Sequence, residues 1–303
     1  MNKEKKIRDK KPRSTGDKIF DACVIVILGV VLLSILYPLY FVLIASFSDP
    51  LAVLGGEVLL WPVRFSTESY QLVFKNSQVL VGYKNTILYT LAGTAVNMLL
   101  SIMAAYPMSR RNLRGKKVGL AMMLFTMFFS GGMIPTYIVI NQLGLLDTFW
   151  VMILPNAISV YNVMIMRTFF ATSIPYELEE AACVDGASQI RTLVSIVLPL
   201  SKPILAVMVL FYAVGHWNSY FNALLYLSNQ DRYPLQLILR AILIQSQASQ
   251  ESFADIGNTY NRMLLSETMK YALIIVASVP VLCLYPFLQK YFVQGVMIGS
   301  VKG

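Results

Sequence analysis

Six apolar runs, each close to the thickness of a bilayer, constrain this chain more than anything else in it. They fall at roughly 19–45, 86–108, 118–140, 149–170, 200–224 and 269–288. A helix needs about 20 mostly apolar residues to cross the hydrocarbon core. Composition agrees: 56% of the 303 residues are hydrophobic and 14% are charged, against about 25% charged in ordinary soluble domains. The first run is longer than the apolar core of a signal peptide and is read as an uncleaved first helix. Pro107, Pro135, Pro155 and Pro203 lie within or beside the runs, where neighbouring helices can re-satisfy the carbonyls that proline frees. The expected fold class is therefore all-α, a polytopic membrane protein with six transmembrane helices. A basic tail (1–18) precedes the first span (19–45), a long loop (46–85) follows it, and a five-helix core occupies 86–290 before a short tail (291–303).

The formal charge of +9 would suit nucleic acid, but the cations flank the spans and form no stripe. Lysine and arginine concentrate on cytoplasmic loops of membrane proteins. One set of loops here, with both termini, holds eighteen of them, including eight in the tail from Lys3 to Lys18 and five in "SRRNLRGKK". The other set holds seven: Arg64, Lys75, Lys84, Arg232, Arg240, Arg262 and Lys270. Both termini and the segment from Leu178 to Pro199 are accordingly placed in the cytoplasm, with no nucleic-acid role. Cys23, Cys183 and Cys283 form no CxxC pair or metal spacing and are read as small core hydrophobes. His216 is the only histidine, no HExxH occurs, and the central parts of the spans carry essentially no Asp, Glu, Lys or Arg. Those facts argue against a metal site, a membrane-embedded enzyme and an ion-coupled carrier, all of which need such groups at depth. His216 is expected to be a packed residue, and the many methionines of spans two to four are expected to fill the core.

Two loops on the outer side are long. The first carries Trp61, Phe65, Tyr70 and Phe74 near the expected headgroup level. In the second, Pro234 is placed to start a helix. Leu235, Ile238, Leu239, Ile242 and Leu243 would share its apolar face, lying on the membrane or on a partner.

The segment "LEEAACVDGASQIRTLVSIVLP" (178–199) breaks the apolar pattern. Ser173 can cap and Pro175 suits a first turn. Glu177, Glu179 and Glu180 then favour a helix N-terminus. Gly186 allows the positive φ that ends a helix, and Pro199 disturbs the next one. Two short helices meeting at an angle are expected within 172–199. Leu178 and Val184 are expected to fill a partner's groove, with Ala181 and Ala182 permitting close approach. Because the elbow joins two spans, a push on it should tilt both.

The spacing Glu180-Ala181-Ala182, Asp185-Gly186, Ile196, Leu198-Pro199 resembles the EAA loop of ABC-importer permeases. "SGGMIPTYIVINQLGLLDTFWVMILPNAISVYNVMIMRTFF", "LPLSKPILAVMVLFYAVGHWNSYFNALLYL" and the tail "QKYFVQGVMIGSVKG" are similar to the oligosaccharide-uptake class, in particular to the subgroup associated with polysaccharide fragments. The likeness covers most of the chain from about Ile19 onward. It implies a type I ABC importer permease fold and the role of one half of a paired channel in the bacterial cytoplasmic membrane. The implied partners are a second permease subunit in a heterodimer, two ATP-binding subunits, and an extracellular solute-binding protein that delivers a carbohydrate. It further implies that Glu180, Ala181, Ala182, Asp185, Gly186, Ile196, Leu198 and Pro199 form the ATPase-coupling segment. The chain is then no enzyme and binds no cofactor itself. ATP and Mg would belong to the ATPase subunits. Consistently, Gly115-Lys116 is followed by Lys117 in place of Ser or Thr, and Arg110 stands where a Walker A motif has its first glycine.

For the substrate path, Trp217, Asn218, Tyr220 and Asn222 offer rings to stack on sugars and amides to bond hydroxyls. The same groups would equally serve as glue between helices and as an interface belt. A peptide or another polar solute would use the same lever.

Overall fold

The computed structural model describes residues 15–251, 269–284 and 286. Residues 1–14, 252–268, 285 and 287–303, with them the end of the sixth run, lie outside the described residues. Among those described, every regular element is helical and none is a strand.

Helix α1 (Thr15–Ser46) is long and apolar, and most of its length is exposed. Two short helices follow, α2 (Pro50–Leu54) and α3 (Glu68–Lys75). The former starts where Asp49 accepts hydrogen bonds from the N–H groups of Leu51 and Ala52. Helix α4 (Ser77–Ser109) begins at an Asn76 cap, earlier than the apolar run itself, so that its first turns belong to what the sequence reads as loop.

Of the six expected spans, α1 and α4 are single helices long and apolar enough to cross a membrane. Three more are bent pairs. Helices α5 (Lys116–Phe128) and α6 (Met133–Gln142) meet at 111°, and Phe149–Asn156 meets α7 (Val160–Thr172) at 54°. Likewise α9 (Gln189–Leu200) meets α10 (Lys202–Trp217) at 84°. The first break falls at Gly132, whose φ of +88° suits only glycine. Its neighbours Phe129 and Gly131 are apolar or small, so the hydropathy profile runs through it unbroken. Between α7 and α9 stands α8 (Tyr176–Val184). After α10 come α11 (Phe221–Tyr226) and α12 (Leu235–Glu251). The sixth run supplies a shorter apolar helix, α13 (Met269–Leu284).

Helix α4 is the central post, packed mainly against α10 and α7. Its buried face reads Gly82, Thr86, Thr90, Gly93, Asn97, Ser101 and Ala105, small or polar residues three or four apart, which let helix backbones approach closely. One core gathers Ala105, Tyr106, Met166, Phe170, Val197, Met208 and Tyr212, tied by a 2.6 Å hydrogen bond between the hydroxyls of Ser101 and Tyr212. Another seats Leu235 and Ile238 of α12 on Val79, Leu273 and Ala277. The apolar face expected of this helix is thus spent inside the chain, against α4 and α13, and not on a membrane surface or a partner. Met152 and Met166 fill core positions as expected, and Met208 of the fifth run does so too, whereas Met122, Met127 and Met133 of α5 and α6 are exposed. All three cysteines are exposed and none is a core residue.

Candidate functional site: an elbow and a polar cavity

The elbow is built by local rules. Ile174 and Phe170 are buried and anchor its root in the core. Pro175, not Ser173, occupies the cap position of α8, and Ser173 instead closes α7. At the far end Gly186 has φ +74°. Its N–H donates to Cys183 O at 3.0 Å and that of Ala187 to Ala182 O at 2.9 Å, the paired bonds of a Schellman ending. Ser188 Oγ then accepts from Arg191 N–H and starts α9. A π turn over Leu193–Val197 carries that helix past Pro199, so the break into α10 comes at Ser201, two residues later than the proline suggests.

Two faces result. Inward, Ala182 is buried and Glu179 pairs with Arg110 at the end of α4. Outward stand Val184 at 88% exposure and Ile190 at 74%, with Leu178 beside them. Glu180, Ala181, Asp185, Gly186 and Pro199 are exposed, while Ile196 and Leu198 are half-buried. Ala182 therefore seats the elbow on its own bundle and leaves close approach of a partner to Ala181.

Sequence reasoning missed what holds the elbow. Arg110 also donates to Phe170 O at 3.3 Å and, through Nε, to Ser109 Oγ at 2.8 Å. Its guanidinium lies 4.8 Å from the centre of the Tyr106 ring. Burial lowers its pKa from the ordinary value, yet a guanidinium stays protonated. Tyr106 OH donates to Gln189 at the start of α9, and Asn112 Nδ2 donates to Tyr176 OH at 3.1 Å. The sequence-level signal was the spacing of Glu179 and Ala182, which puts both on one helix face.

A cavity of about 410 Å³ opens between α4, α7 and α10. Asn97, Asn156, Ser159, Asn162, Ser219 and Asn222 line it, together with His216 and Tyr212, and among the described residues no charged one does. Asn97 Nδ2 donates to Asn156 O at 2.8 Å, which turns Asn97 Oδ1 toward His216 Nε2 at 2.9 Å. The carboxamide oxygen can only accept, so His216 holds its proton on Nε2.

Of the four residues expected on a substrate path, only Asn222 lines this cavity. Trp217 is buried, donates to Ala277 O at 2.9 Å and meets the Tyr83 ring edge-on, so it acts as glue between helices. Asn218 bonds Val214 O and Gln236, and Tyr220 lies under the Arg240 guanidinium. Asn97, Asn156 and Asn162 were legible as isolated amides inside apolar runs. His216 is packed, as expected.

A helical bundle of bent apolar spans, with a polar cavity in its middle and a hinged elbow at one end, defines a multi-pass membrane subunit of a transport machine. The chain belongs to the family of binding-protein-dependent transport system inner membrane components, whose model matches residues 10–298. It is 41% identical over 287 residues to protein LplC of Bacillus subtilis (strain 168), covering 94% of this chain and 96% of that one. It is 40% identical to the polygalacturonan/rhamnogalacturonan transport system permease protein YtcP of the same organism, covering 95% and 99%. A crystal structure of a bacterial ABC transporter involved in the import of the acidic polysaccharide alginate contains a chain that superposes with a TM-score of 0.85. That chain is 33% identical, and the match covers 93% of this chain and 99% of that one. The fold is thus that of a type I importer permease, and the chain is a permease subunit and not an enzyme.

Proposed function

We propose that this chain is one half of the transmembrane channel of an ATP-driven importer for sugar oligomers, paired with a second, non-identical permease. Two ATP-binding subunits contact its elbow, and an extracellular solute-binding protein delivers the cargo. ATP and Mg are handled by the ATPases. The elbow and both termini face the cytoplasm. The sugar class rests on the names of the relatives and on the neutral, amide- and hydroxyl-rich cavity, which suits the many hydroxyls of a glycan.

The observation that carries the coupling role is the outward face of the elbow. Val184 at the end of α8 and Ile190 in the first turn of α9 are large apolar side chains exposed where the two arms of the elbow meet, beside Glu180, Ala181, Asp185 and Gly186. Such a face fits a groove on another protein. ATP-driven closure of the motor would move two spans through the chain connections of the elbow. Gly186 keeps the bend. A β-branched residue at its φ of +74° would meet the left-handed penalty of about 1–2 kcal/mol.

In the reconstituted complex, Gly186→Val is expected to abolish uptake of labelled rhamnogalacturonan or galacturonan oligomers, and with it the stimulation of ATP hydrolysis by loaded binding protein. Unchanged uptake and stimulation would end the lever reading. A benzophenone maleimide on the exposed Cys183, with Cys23 and Cys283 replaced by serine, is expected to photo-crosslink to an ATPase subunit.

A further inference from the structure

We propose that Arg110 and Glu179 are positioning residues that lock the elbow to the end of α4, turning a hinged loop into a rigid lever. The proposal rests on the coupling role given above and adds the part that makes the elbow stiff. An elbow joined to the bundle only through its two chain ends would swivel when pulled. This one has a third attachment. The Arg110 and Glu179 side chains are only 14% and 12% exposed, so the pair is shielded from the solvent that weakens surface ion pairs. Removing one partner leaves the other charged and buried, which the fold resists strongly.

The geometry around the pair is that of a clamp. One guanidinium reaches Glu179 on α8 and Phe170 O on α7, while its Nε donates to Ser109 Oγ and its plane lies over the Tyr106 ring of α4. Tyr106 in turn bonds Gln189 on α9. Both arms of the elbow are thereby tied to the helix that packs against the spans on either side of the elbow, α7 and α10. Lysine would not replace Arg110, because a point charge has no fork to serve two acceptors and no plane to lie over a ring.

The test uses the assembled complex in right-side-out vesicles loaded with ATP and vanadate. This chain carries Asn222→Cys at the cavity, and its three native cysteines are replaced by serine. A membrane-impermeant maleimide outside reports whether the cavity opens. With the clamp intact, nucleotide trapping is expected to raise labelling several-fold. Glu179→Gln and Arg110→Gln are each expected to lose that rise. Glu179→Asp, which keeps the charge that the guanidinium pairs with, is expected to retain most of it, which guards against loss through misfolding. Full opening in Glu179→Gln, or a Glu179→Asp chain that stays as closed as the neutral variants, overturns the proposal. Crosslinking through Cys183 tests the contact with the ATPase separately. A variant that opens fully while a Cys183-bearing chain still crosslinks would sink the clamp and leave the coupling role standing.

Discussion

A single hydrogen atom at Gly93 is what lets His216 lie against α4. A Cβ there would sit 2.4 Å from Cε1 and Nε2 of the imidazole, closer than any real contact, and the ring is pinned by Asn97. Gly93→Ala is therefore expected to destabilise the chain by about 1–3 kcal/mol, the usual cost of overpacking, read as a lowered unfolding midpoint in detergent. His216→Ala alone loses one interhelical hydrogen bond, about 0.6 kcal/mol on average in such bundles, plus ring packing. In the double variant the clash is gone, so the two losses should fall well short of adding. Strict additivity would show that the histidine does not set the separation of α4 and α10.

The elements differ in how openly the sequence announces them. The elbow was legible because its signals are local: acids in a first turn and a glycine at the helix end; the cap expected at Ser173 instead closes α7, and the one at Ser188 was missed. The long runs were legible because hydropathy needs no knowledge of neighbours. Bends inside them were not, since the Gly131-Gly132 break is hidden within apolar residues. The amphipathic pattern of α12 announced that a partner existed, and only the fold says that the partner is α4 and α13. Arg110 and Glu179 carry no mutual signal, because they come together through tertiary packing alone. The same holds for Asp147 at the opposite end of the bundle from the elbow. Its carboxylate accepts the N–H groups of Ser228 and Asn229 at 3.2 and 3.1 Å and pairs with Arg232. Those contacts, the Asn229 N–H foremost, hold its pKa below the usual value. A lowered carboxyl pKa adds stability that is fully present above the unfolded value and is lost as pH falls through the folded one. Acidification below the ordinary aspartate range is thus expected to lower the protection of the Ser228 and Asn229 amides, read as exchange rate relative to the intrinsic rate at each pH. Asp147→Asn should leave that protection unchanged with pH over the same interval.

At the scale of the whole molecule, the described loops divide between two ends of the bundle, and charge distinguishes those ends. The cationic loop from Arg110 to Lys117 and the elbow are brought to the same end: Glu179 meets Arg110, Tyr176 meets Asn112 and Arg111, and Arg167 donates to Met108 O. The opposite end gathers Gln78 with Gln230, Asn85 with the Asp231 and Tyr233 carbonyls, and Tyr89 with Arg232 O. Among the described residues, the loop 110–117 with the elbow and the loops around 78–85 and 229–233 thus lie at two separate ends of the bundle, the arrangement a charge-oriented membrane protein requires. Placing the richer end in the cytoplasm puts the exposed Cys183 on the side where ATP is made available, and Trp61, 76% exposed, on the side where solute arrives. With Cys23 and Cys283 replaced by serine, an impermeant maleimide is expected to label Cys183 in inverted vesicles and not in right-side-out ones. A Trp61→Cys variant that also carries Cys183→Ser should give the reverse. Labelling of Cys183 from the outer side would place the elbow away from any nucleotide-driven motor, and neither the coupling role nor the clamp behind it would survive.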